Sequence, residues 1–163
     1  MVSQTNKVLF REFCEAHHYP RKDGFAGALD CFYAADADIN LVHPFNEHAG
    51  PNAYRENFIA PLQQAFTGLS RAEYIAFGGS YEGSDWVTCS GYYKGHFNEP
   101  WIGIKPSGAM AFLRFGEFHR MKNDQAIESY IFLDLPELML ACEQWPITDF
   151  PGKSRGYTGY LPG

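Results

Sequence analysis

The sequence predicts an α+β domain: helices first, then a curved antiparallel sheet wrapped halfway round them as a cone with one open end. Three observations lead there. Apolar residues recur at helical spacing in stretches before residue 67, and from about residue 69 the period changes to two. The helical and strand-like stretches are segregated rather than alternating, which separates α+β from doubly wound architecture. The chain of 163 residues is one domain's worth. Residues 1–145 are expected to form that domain, and 146–163, rich in Pro, Gly and Tyr, a C-terminal tail.

The first helix is expected over Thr5 to His18, with Val8, Leu9, Phe10, Phe13 and Ala16 on its apolar face and His17-His18 against the helix dipole. "YPRKDG" breaks it. "FAGALDCFYAADADIN" reads as a short helix running into polar residues, and Ile39 to Val42 as a short strand. A third helix starts near Pro51, carries Tyr54, Phe58, Leu62 and Phe66 at four-residue spacing, and ends at Gly68. Beyond it, "SRAEYIAFGGSYEGSDWVTCSGYYKGHF" reads as two strands joined at "GGSYEGSD". "GAMAFLRFGEFHRMK", the turn "ND" and "AIESYIFL" form a hairpin, and "DLPELMLACEQW" a short last helix.

Composition narrows the function. The net charge is −6, with no Lys/Arg run, so nucleic acid and anionic membrane surfaces are not expected partners. No stretch approaches the roughly 20 apolar residues of a membrane span, and the N-terminus reads as an amphipathic helix rather than a signal peptide. The four cysteines are scattered without a CxxC and read as reduced, mostly buried thiols of a cytoplasmic protein. His43, Glu47 and His48 of "VHPFNEH" match no metal-ligand spacing, and no metal is expected.

From Gly95 onward the wording "GHFNEPWIGIKPSGAMAFLRFGEFHRMKNDQAIESYIFLDLPELM" resembles the SnoaL-like polyketide cyclases of the nuclear transport factor 2-like superfamily. The shared features are the turn "GIKPSG" (103–108), a strand carrying Arg114-Glu117-Arg120, the "ND" turn, and Glu128-x-Tyr130-x-x-x-Asp134 leading into a Leu-rich helix. Two segments depart from that pattern: Tyr92-Tyr93 replace a Thr-His, and Ser129-Tyr130 replace a His-Trp. The resemblance implies a cone-shaped α+β barrel, a cavity for a small hydrophobic molecule, no cofactor, and homodimerisation through the sheet.

Asp134 has two readings. Followed by Leu135, Pro136 and Glu137, it forms an Asp-x-x-Glu capping box. By the resemblance it is an acid/base residue on a carbonyl compound undergoing cyclisation, isomerisation or dehydration. His119 is the second catalytic candidate, expected near Glu128 or Tyr130 across the hairpin. Arg114, Tyr130, Glu128, His43 and Trp101 are the substrate-binding candidates. Alternation puts Leu113, Phe115, Glu117 and His119 on one face and Arg114, Phe118 and Arg120 on the other. It also groups Glu128, Tyr130, Phe132 and Asp134. Which face lines the cavity stays open at this stage. So does a pairing of Arg114 with Glu128 or Glu117. The alternative function is a non-catalytic ligand-binding or dimerisation module of the same fold.

Overall fold

The structure, a computed structural model, describes residues 4–18 and 25–145. The "YPRKDG" break and the tail fall largely or wholly outside them. Helix α1 (Gln4–His18) and helix α2 (Phe25–Phe32) are followed by strand β1 (Tyr33–Leu41) and the short β2 (Glu47–Ala49). A composite helix comes next: α3 (Gly50–Tyr54), a π turn (Arg55–Ile59) and α4 (Ala60–Ala65). The chain ends in strands β3 (Phe66–Tyr81), β4 (Ser84–Phe97), β5 (Met110–Lys122) and β6 (Gln125–Leu133) and helix α5 (Leu135–Ala141).

The six strands make one curved, unclosed sheet in the order β2-β1-β6-β5-β4-β3. All neighbours are antiparallel except β1 and β6, so the sheet is mixed rather than purely antiparallel. The whole sheet-forming half of the chain separates these two strands, and so long a connection allows parallel pairing. Two-residue turns close both long hairpins. Glu82-Gly83 and Asn123-Asp124 all take positive φ, the geometry of a turn whose twist matches that of the strands it joins.

Three local expectations fail for tertiary reasons. "YAADADIN" belongs to β1 rather than to a helix. Its Ala and Asp residues have poor strand propensity, but Tyr33, Ala37, Ile39 and Leu41 are buried and neighbours pair with it on both sides. The stripe Tyr54, Phe58, Leu62 and Phe66 is buried as expected, yet a strict spacing of four overruns the α-helical period. The π turn takes up that excess, and it sits just before Pro61, which has no N–H to return to the preceding turn. The helix therefore stops at Ala65, and Gly68, at φ 68°, lies in an irregularity of β3. On α1 the buried stripe is Asn6, Phe10, Phe13 and Cys14, while Val8 faces solvent.

The core fills the concave side of the sheet, under α1, α2 and the composite helix. Gly91 shows how tightly the strands approach there: a Cβ would lie 2.3 Å from the Ala72 carbonyl oxygen and 2.8 Å from the Phe115 ring.

Candidate functional site

The alternation of β5 settles which face is inside. Leu113, Phe115, Glu117 and His119 point into the cone and are buried. Gly116 introduces no bulge; the register shifts only at Arg120/Met121. Across the hairpin His119 faces Ser129, rather than Glu128 or Tyr130.

Around these residues lies a cluster of polar side chains in the middle of an apolar core. Arg71 of β3 is fully buried. It grips Glu117 with both terminal nitrogens, at 3.1 and 2.8 Å, and donates from Nε to Glu73 at 2.7 Å. Its Nη2 lies 3.3 Å from the Cys89 sulfur, and its guanidinium stacks 4.2 Å from the centre of the Phe115 ring. Burial alone would push the Glu117 carboxyl up. The Arg71 guanidinium, helped by His119, overrides it and holds Glu117 well below the usual carboxylate range.

His119 continues the chain of contacts. Its Nε2 is 3.4 Å from Glu117 and its Nδ1 is 2.7 Å from the Ser129 hydroxyl. A carboxylate can only accept, so Nε2 carries the hydrogen and Nδ1 accepts from Ser129. Burial, joined by the charge of Arg71, pushes His119 below its ordinary value and keeps it neutral, against the pull of Glu117. Phe10 and Phe13 of α1, with Phe32 and Tyr33, box the imidazole at 5.1–5.9 Å between ring centres. Three tyrosines close the cluster. Tyr93 lies 3.4 Å from Arg71. The hydroxyls of Tyr33 and Tyr54 have no hydrogen-bond partner of good geometry, although Ser129 lies beside the first and Tyr93 beside the second. Burial raises all three phenols, so they stay protonated and can donate.

The other sequence candidates lie elsewhere. Glu128, Tyr130 and Phe132 are on the convex face with Arg114, Phe118 and Arg120. There Arg120 pairs with Glu128 at 2.6 Å, and the Tyr130 hydroxyl donates to the same carboxylate. Arg114 lies over the Tyr92 ring and pairs with Glu137, not with Glu128 or Glu117. Asp134 caps α5: its carboxylate accepts from the Glu137 N–H at 3.0 Å. The box is only half made, because the Asp134 N–H goes to the Arg114 carbonyl and the Glu137 carboxylate to Arg114. The structure thus does not bring Asp134 to His119. His43 is exposed on the loop after β1. Trp101 is buried against Phe45, Phe58 and Phe66, at the edge of an open cleft of about 450 Å³ between Pro61, Gln64 and Ile102.

All four cysteines are free; Cys14 and Cys89 are buried, Cys142 is half-buried and Cys31 is exposed, so fewer are buried than expected. His43, Glu47 and His48 form no cluster, with His48 buried on β2 and the other two exposed.

Sequence reading missed Arg71, Tyr33, Tyr54 and the role of Ser129. The available signal was on β5, where two titratable residues share a period with Leu113 and Phe115. Charges on a buried face need a partner from another element, and nothing local in "SRAEY" marks Arg71 as that partner.

No protein-family model and no curated protein matches the sequence. Solved structures do match in fold. A candidate SnoaL-like polyketide cyclase from Jannaschia sp. CCS1 superposes with a TM-score of 0.71 at 20% identity, over 90% of this chain and 96% of that one. IdmH, a candidate polyketide cyclase from Streptomyces antibioticus, gives 0.68 at 15% identity, over 86% and 99%. A Catenulispora acidiphila protein with a ketosteroid isomerase-like fold, solved with trimethylamine, gives 0.62 at 12% identity, over 88% and 95%. At these identities the likeness shows the fold alone: the chain folds like these SnoaL-like and ketosteroid isomerase-like structures.

Proposed function

We propose that the protein is a cofactor-independent acid/base enzyme acting on a small hydrophobic carbonyl compound, and that His119 is its proton-transfer group. One observation carries this reading. The concave interior, packed with apolar side chains, holds a neutral imidazole backed by an ionised Glu117–Arg71 pair, beside two under-partnered tyrosine hydroxyls. Buried titratable clusters of this sort concentrate at functional sites. The neighbours named as polyketide cyclases support the reaction class by analogy of fold.

In this mechanism Nδ1 of His119, released from the Ser129 hydroxyl, takes a proton from the carbon next to the substrate carbonyl. Glu117 stabilises the imidazolium that forms. Tyr33 or Tyr54 donates to the enolate oxygen, and the proton then returns to a different atom. Cyclisation, isomerisation and dehydration all begin this way. The substrate enters by displacing α1, whose Phe10 and Phe13 cover the imidazole. Asp134 serves the site only as the cap that ends β6 and starts α5.

The test uses a panel of hydrophobic 1,3-dicarbonyl compounds in D₂O, with deuterium uptake at the acidic carbon followed by NMR. Wild-type protein should accelerate uptake for at least one compound, and His119→Gln should abolish the acceleration. Equal rates for both proteins across the panel would sink the proposal.

The partner reading belongs to the convex face. Phe77, Phe112, Phe118, Tyr130 and Phe132 are exposed there, the rings of Phe118 and Phe132 6.1 Å apart, and exposed apolar residues grouped on one face mark an interaction site. We propose a homodimer through this face, in the cytoplasm. Sedimentation should show a dimer for wild type and a monomer for Phe118→Lys/Phe132→Lys. A wild-type monomer at high micromolar concentration would refute it. No helix among the described residues is long and apolar enough to cross a membrane.

A further inference from the structure

We propose that Cys14 and Cys89 are an oxidation site, a dithiol pair that closes to a disulfide and locks α1 onto the sheet. Two buried thiols are by themselves ordinary core filler. These two differ in where they sit. Cys14 is on the buried stripe of α1, and Cys89 is on the inner face of β4. Their sulfurs lie within 4.8 Å of each other, across the seam between the roof helix and the sheet.

The carboxylate of Glu73 lies within the same 4.8 Å, and the trio could be read as a metal site. The surroundings argue otherwise. Arg71 donates to Glu73 at 2.7 Å and sits 3.3 Å from the Cys89 sulfur, so a dication would share both ligands with a fixed guanidinium. The same guanidinium supports a transient Cys89 thiolate, the form that attacks a sulfenic acid. At rest, contact with Cys14, then burial and Glu117, push the Cys89 thiol up, so oxidation is slow and follows sustained exposure rather than a brief pulse.

The chemistry balances with one peroxide. Hydrogen peroxide converts one thiol to a sulfenic acid and leaves as water. The other thiol displaces hydroxide from that sulfur, forming the S–S bond and a second water. A thiol reductant reverses it. The bond ties residue 14 to residue 89, and α1 is the element whose Phe10 and Phe13 roof the His119–Glu117–Arg71 cluster. Oxidation therefore holds the roof shut. The regulatory meaning of this lock rests on the interior site proposed above; the crosslink itself does not.

The experiment takes reduced full-length protein through stoichiometric hydrogen peroxide, alkylation under denaturing conditions and non-reducing peptide mapping. The expected product is a single Cys14–Cys89 linked peptide, with Cys31 and Cys142 absent from any crosslink. Amide hydrogen exchange in α1 should slow by on the order of tenfold or more, and dithiothreitol should restore it. Cys14→Ser and Cys89→Ser should each abolish the slowing, and Cys31→Ser should keep it. Recovery of Cys14 and Cys89 as free thiols after Cys31 is fully oxidised, or crosslinks dominated by Cys31, would overturn the proposal. If the crosslink forms and slows α1 while deuterium uptake by substrate is unaffected, the crosslink stands and the interior-site reading falls.

Discussion

Two arginine–glutamate pairs lie on opposite faces of the same sheet. Arg120–Glu128, on the convex face, is the shorter at 2.6 Å, with side chains 37% and 23% exposed. Arg71–Glu117, on the concave face, is 2.8 Å, with side chains 0% and 1% exposed. Length does not rank them. Water already solvates the outer pair, so its net worth is about 1 kcal/mol or less. The inner pair gave up its hydration entirely, so either member alone would be a stranded charge. The outer face can change its charges cheaply; the inner face must keep or lose them together.

The comparison breaks most sharply at Glu117. Glu117→Leu leaves the buried Arg71 with Glu73 as its one carboxylate partner and should cost about 3–5 kcal/mol in urea denaturation. Arg71→Met/Glu117→Leu should recover most of that loss, and an additive double mutant would show that the pair is not one unit. Gly91→Ala tests the packing of the same face. Its Cβ has no room against the Ala72 carbonyl, so a loss of about 1–3 kcal/mol or more is expected.

The pH profile comes next. The unfolded His119 accepts a proton below about pH 6.5 that the folded, depressed one refuses. Stability is thus complete above that pH and declines as pH falls. The Glu117 contribution, also from a depressed pKa, persists until about pH 4.3 and fades below it. His119→Gln should flatten the decline between about pH 6.5 and 5, leaving the part owed to buried His48. At α5, Asp134→Ala should cost about 1 kcal/mol and Asp134→Asn almost nothing. The smallest effect belongs to the outer pair: Arg120→Ala/Glu128→Ala should move stability by no more than about 1 kcal/mol.

The same two faces explain what could be read from the sequence. The β5–β6 hairpin, its "ND" turn, the α5 cap and the stripe Tyr54–Phe58–Leu62 depend on neighbours within a few residues, and spacing reveals them. The grouping of Glu117 with His119 was legible for the same reason. Arg71 reaches Glu117 across 46 positions, and β1 becomes a strand only because β2 and β6 flank it. The grouping of Glu128 with Tyr130 and Phe132 was legible as well, but which way that group points depends on which face the helices cover. Of the departures from the cyclase pattern, Tyr93 and Ser129 both belong to the interior cluster. Substitution there changes the polar groups of the interior while the frame is kept.

The aromatic box around His119 also makes the imidazole a reporter. Four ring systems within 5.1–5.9 Å impose strong ring currents on its carbon-bound protons. Those resonances should fall well outside the normal histidine window. Two of the four rings ride on α1, so each lifting of that helix would pull the signals back toward the random-coil position, and a single pair of peaks would count how often the roof is open.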